Sequence, residues 1–145
     1  MKPEHCIDVC NRLLRGERSA IETYDKAIEK YATEPAAETL RRIRDEHARA
    51  VATLEENVRS MGGEPEGESG AWGAFANTVQ SAADLFGTNS ALEALETGEK
   101  AGKNDYEGAL EDEDVMSECK QVIRSSLLPK VNEHIDSLNH LQKAA

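Results

Sequence analysis

The sequence predicts an all-α four-helix bundle, built as two antiparallel hairpins joined by a long crossover. Three observations predict it. Apolar residues recur at steps of three and four along four long segments, which is the helical period. Gly and Pro are sparse, at 10 and 4 residues, and runs of β-branched residues are absent. The first and second segments, and the third and fourth, are separated by only a few residues, so each pair forms a hairpin. The middle connection is long and carries the chain from one hairpin to the other.

The first helix is expected over about 3–31, with Pro3 suited to a first turn and a seam of Ile7, Cys10, Leu14, Glu17, Ile21, Tyr24, Ile28 and Tyr31. The second spans about 35–61 and stops at Gly62-Gly63. Its seam runs Leu40, Ile43, His47, Ala50, Leu54, Asn57 and Met61. A Gly/Glu-rich loop follows over Glu64–Gly70. A short amphipathic helix is then expected at about 71–86, with Trp72, Phe75, Val79, Ala82 and Phe86 at helical spacing. This segment either covers the bundle or pairs two copies of the chain as a homodimer. The third helix spans about 90–110 through Leu92, Leu95, Glu99, Gly102, Tyr106 and Ala109. The fourth spans about 114–142, with Ile123, Leu127, Val131, His134, Leu138 and Leu141 inside. Pro129 lies within it and should kink it.

Composition narrows the function. The 145 residues suit one domain with one well-covered core. Lys plus Arg is 17 against 28 Asp plus Glu, a formal net charge of −11, which disfavours nucleic-acid phosphates. No apolar run approaches the ~20 residues of a membrane span. No charged segment precedes an apolar one at the N-terminus, so no signal peptide is expected. Three cysteines without framework spacing suit a reducing, cytoplasmic setting.

The functional signal is an internal repeat. Gly16-Glu17 … Tyr24 … Ala27-Ile28-Glu29 matches Gly98-Glu99 … Tyr106 … Ala109-Leu110-Glu111, and Glu46-His47 … Val51 … Leu54 matches Glu133-His134 … Leu138 … Leu141. Glu17, His47, Glu99 and His134 all fall on apolar seams, where a charged group is costly unless paired or ligated. At 1.5 Å rise per residue, the Glu and His of each hairpin come within several ångströms of one layer. If the hairpins pack with a pseudo-twofold, two Glu and two His converge. Tyr24 and Tyr106 then lie two turns from each acid, with hydroxyls able to support the inward polar groups. Imidazole and carboxylate together suit Fe, Zn or Mn. Glu46 and Glu133, beside the histidines, are candidate additional ligands or supports. The same residues also fit Glu–His hydrogen-bonded pairs with no metal.

Glu17…Tyr24, Glu99…Tyr106 and Gly62-Gly63-Glu64-Pro65 resemble the ferritin-like superfamily, and within it the uncharacterised bacterial group DUF2383. The resemblance covers nearly the whole chain. It implies a ferritin-like bundle with a role in metal handling or oxidative-stress response. Members with a working di-iron centre use Glu from helices one and three and Glu-x-x-His from helices two and four. Glu17 and Glu99 match. The positions three before His47 and His134 are Arg44 and Val131, and those three after are Ala50 and Ser137. With the bridging carboxylates absent from their usual places, one metal held by two Glu and two His, or none, is expected. Ferroxidase or oxygenase chemistry is not.

The remaining candidates have plainer explanations. Cys10 is expected in the core, Cys6 partly exposed and Cys119 in packing. His5 and His140 are expected at the surface. The acidic run Glu111–Asp114 suits a helix N-terminus, and Arg41, Arg42 and Arg44 a solvated face with Glu partners.

Overall fold

The computed structural model describes residues 3–67 and 88–144. It is an all-α bundle, with no strand among the described residues. Helix α1 (Pro3–Lys30) pairs with α2 (Ala36–Ser60), and α3 (Thr88–Glu111) pairs with a fourth helical run. That run is continuous but composite: α4 (Ser117–Val122), a π turn (Ile123–Leu127) and α5 (Leu128–Ala144). The crossover helix expected at about 71–86, and the homodimer surface assigned to it, lie outside the described residues.

The fourth helix departs from expectation at its start. It begins at Ser117, so Glu111 ends α3 and Asp112–Asp114 lie in the connection, not in a first turn. There Asp112 accepts from the Asp114 amide at 2.9 Å and lies 2.7 Å from His5 Nε2. Further along, Pro129 supplies no N–H for the carbonyl four residues before it, and its ring would crowd that carbonyl. The wide turn over Ile123–Leu127 absorbs this disturbance.

The Gly62-Gly63 stop has a clear geometry. Gly62 has φ +86°, the left-handed region. Its amide donates to the Arg59 carbonyl at 3.0 Å and the Gly63 amide to Val58 at 3.0 Å, which closes the end of α2 as a Schellman motif. Gly62→Ala should lower stability by about 1 kcal/mol, read as a lower urea midpoint with an unchanged slope. At Gly63 an added Cβ would stand 2.7 Å from Ile7 Cγ2, so this glycine lets α1 approach the end of α2.

The apolar core is in two parts. One end contains Val9, Leu13 and Leu14 with Leu54, Val58, Ala109, Ile123 and Leu127. The other contains Ala27, Tyr31, Leu40, Ile43, Leu92, Leu95 and Leu138. Glu17, His47, Glu99 and His134, one from each helical run, lie between the two. Cys6, expected to be partly exposed, is fully buried at 0%. Its thiol donates to the Asp114 carbonyl at 3.2 Å and its sulfur accepts from the Met116 amide at 3.2 Å, because the α3–α4 connection folds over the start of α1.

Candidate metal centre

Glu17, His47, Glu99 and His134, one from each helical run, meet in the layer that divides the core. All four are buried, at 6%, 4%, 5% and 1% exposure. His47 Nδ1 lies 2.5 Å from Glu17 Oε2, and its Nε2 lies 2.7 Å from Glu99 Oε2. Glu99 also reaches His134, with Oε1 at 3.1 Å from Nδ1. His134 Nε2 lies 2.8 Å from Glu46 Oε1. The result is one chain of groups, Glu17–His47–Glu99–His134–Glu46, with Glu99 as its bridge. The two imidazole rings are 4.7 Å apart between centroids.

The tyrosines support the acids across the hairpins. Tyr24 of α1 donates to Glu99 Oε2 of α3 at 3.0 Å. Tyr106 of α3 donates to Glu17 Oε1 of α1 at 2.6 Å. The ring of Tyr24 also stacks on His47, with centroids 5.4 Å apart. Each hydroxyl is buried beside carboxylates, so burial first and the neighbouring charge second hold both tyrosines protonated, well above their usual range.

Electrostatics shape the layer. Burial disfavours a charged imidazole at His47, but Glu99 and Glu17 on its two sides outweigh that and raise its pKa well above the usual value. Burial would likewise raise Glu99, yet His47 and His134 hold it down at about 2. Glu46 is lowered as well, with His134, Lys130 and Arg42 offsetting its partial burial. Every nitrogen of both rings faces a carboxylate oxygen. A neutral imidazole has only one N–H, so at each ring one nitrogen–carboxyl contact needs a further proton, on either partner, or a cation.

This charge pattern sets a pH window for the metal-free protein. The raised His47 contributes stability that is complete below about pH 6.5 and declines as pH rises toward its folded pKa. The lowered Glu99 contributes stability that is present above about pH 4.5 and is lost as pH falls toward 2. Urea midpoints taken in chelator across this range should therefore be highest between about pH 5 and 6.5.

Three ligand-bearing groups, His47, Glu99 and His134, bring their donor atoms within 4.8 Å of one another, all buried. A cavity of about 40 Å³ beside Glu17, His47 and Glu99 reaches to Tyr24 and Tyr106, room for a few waters at most. A larger cleft of about 360 Å³ opens between α2 and the fourth helical run, past Ser125, Ser126 and Lys130, and ends on Glu46, His47 and His134. The π turn forms part of its wall, in line with the frequent placement of such turns at functional sites.

The eight residues singled out from sequence separate in the structure. Glu17, His47, Glu99 and His134 come together, Tyr24 and Tyr106 bond to the acids, and Glu46 joins through His134. Glu133 does not join. Its side chain is 57% exposed and lies 3.4 Å from Lys130, at the mouth of the cleft. The repeat therefore breaks at its Glu-His pair: α2 turns Glu46 toward the fourth helix, whereas the matching face of α5 borders the cleft. Arg44, which stands where a bridging carboxylate would be needed, points outward to Asp25 and Asp45 at 2.7 and 3.2 Å. Arg42 lies 3.9 Å from Glu46, a contact readable from its i,i+4 spacing. Lys130 and the cleft had no signal beyond Pro129.

No curated protein and no solved structure matches the chain. A family model described as a domain of unknown function matches residues 5–112. The matched stretch includes Glu17, Glu46, His47 and Glu99, and it ends before α4. With α2, α3 and all but the first two residues of α1 inside that match, the chain belongs to the DUF2383 family.

Proposed function

We propose that this protein is a metal-binding bundle whose interior layer holds one Fe, Zn or Mn ion for metal handling. The observation that carries the reading is the buried trio of His47, Glu99 and His134, with donor atoms within 4.8 Å of one another. Two imidazoles and a carboxylate are the donor chemistry these ions prefer. Glu17, the second acid of the two-Glu, two-His set, meets the other nitrogen of His47, as Glu46 meets that of His134. An interior site fed by inward side chains is also what the ferritin-like resemblance implies. A bound ion would supply Lewis acidity or redox capacity. The chain itself supplies a buried, preformed pocket and two tyrosine hydroxyls that orient the acids. The test is metal content. Protein loaded with Fe(II) or Zn(II) and then desalted must retain a substantial fraction of an equivalent, and retention below a tenth removes the proposal.

A second reading has its own support. Every polar atom of the layer already has a partner at hydrogen-bond distance. On this reading the bundle is a structural or partner-binding protein whose Glu–His pairs need no ion. It requires Glu17→Gln to change stability while leaving metal content untouched.

A further inference from the structure

A second chemical site lies about two turns nearer the start of α1, outside the polar layer. Cys10 of α1 and Cys119 of α4 place their sulfurs 2.9 Å apart. A covalent bond between them requires an approach of about 0.9 Å, given the usual S–S length of ~2.05 Å. Asn57 of α2 donates through Nδ2 to Cys119 Sγ at 2.8 Å and lies 3.4 Å from Cys10 Sγ. Both thiols are buried, at 1% and 2% exposure. Cys119 nevertheless lines a cleft of about 230 Å³ with Asn57, Ser60, Met61 and Met116, large enough to bring a small polar molecule up to this residue. Cys6 is engaged elsewhere, with the Asp114 carbonyl and the Met116 amide.

We propose that Cys10 and Cys119 form a peroxide-oxidised dithiol that closes a disulfide between α1 and α4. The roles of the two thiols follow from their surroundings. The Cys10 thiol and then the Asn57 amide bond to the Cys119 sulfur and bring Cys119 down to about 7 against the pull of burial. The partnership with Cys119 and burial push Cys10 up, so it is the proton donor of the pair. The Cys119 thiolate attacks one oxygen of hydrogen peroxide. The O–O bond breaks, Cys119 becomes a sulfenic acid, and the departing hydroxide takes up the proton that Cys119 gave up on ionising and leaves as water. Cys10 then attacks the Cys119 sulfur, the S–O bond breaks, and a second water leaves with the Cys10 proton. Two thiols and one peroxide thus give one disulfide and two waters, and a small dithiol reductant reverses the change.

The bridge joins residues 109 apart in sequence. Closing so long a loop should raise Tm by about 10 °C. The experiment uses the full chain, reduced, freed of metal with chelator and exposed to a small excess of hydrogen peroxide. The expected product has lost the mass of two hydrogens, yields a Cys10–Cys119 linked peptide on non-reducing digestion, and returns to its starting Tm with dithiothreitol. Cys6→Ser should behave as wild type. Cys10→Ser, checked for helicity by circular dichroism, should stop at added oxygen on Cys119. The proposal is overturned if wild type gains oxygen without losing hydrogens or crosslinks to a second chain. Loss of the bridge in Cys6→Ser overturns it too.

Discussion

Wild-type protein loaded with Fe(II) or Zn(II) is expected to retain about one equivalent after desalting, and Glu99→Ala less than a tenth. Glu99 is the most sensitive position because its two oxygens serve both histidines, at 2.7 and 3.1 Å. Losing a supporting partner of a metal ligand typically costs about 10–100-fold in affinity. Losing the bridging ligand should therefore exceed about 100-fold. The ion must also displace protons, since His47 is held protonated by Glu99 and Glu17. Retention should consequently rise with pH over the range in which His47 deprotonates, opposite in slope to the stability of the metal-free protein. At free metal near 100 times Kd, binding adds about 2.7 kcal/mol, which should lift Tm by about 5–10 °C. Titrations by inductively coupled plasma analysis and calorimetry read both. Equal metal content in wild type and Glu99→Ala would dismiss the site.

The second large effect concerns the metal-free protein. Glu99→Ala leaves two buried histidines without their shared acceptor and should cost about 3–5 kcal/mol, a fall in Tm on the order of 10 °C. Replacing the whole layer should do the reverse. Glu17, His47, Glu99 and His134 changed together to Leu, with Tyr24→Phe and Tyr106→Phe to remove the stranded hydroxyls, should give a bundle as stable as wild type or up to about 4 kcal/mol more stable. Such a variant should bind no interior metal. That outcome would mean that the layer is retained for chemistry. A variant several kcal/mol less stable than wild type would mean that the hydrogen-bonded network itself holds the bundle together, which favours the structural reading.

Much of this was legible because helical periodicity is a strong signal. Most seam residues of α1, α2 and α3 are buried, Ile7, Ile21, Ile28, Ala50, Asn57, Met61 and Gly102 are half-buried, and the helix ends fall within about two residues of expectation. The polar layer was legible for the same reason, since Glu17, His47, Glu99 and His134 interrupt seams that are apolar but for Asn57. Long-range asymmetry was not. Glu46 and Glu133 occupy equivalent places in the repeat, and only the packing of α2 against the fourth run makes one a partner and the other a surface acid. The wide turn before Pro129 was visible only as an expected kink. Cys10 and Cys119 are too far apart in sequence for their pairing to be inferred from spacing, because it depends on how the second hairpin docks on α1.

The exchange of tyrosine partners also bears on how such a chain arose. Tyr24 serves the acid of the later hairpin and Tyr106 that of the earlier one. A lone hairpin would bury a carboxylate with no hydroxyl to meet it, whereas two copies of one hairpin would complete each other. The descent this favours is an ancestral self-pairing peptide whose gene later doubled and fused. Such a descent would let the halves diverge after fusion, in keeping with the unequal places of Glu46 and Glu133.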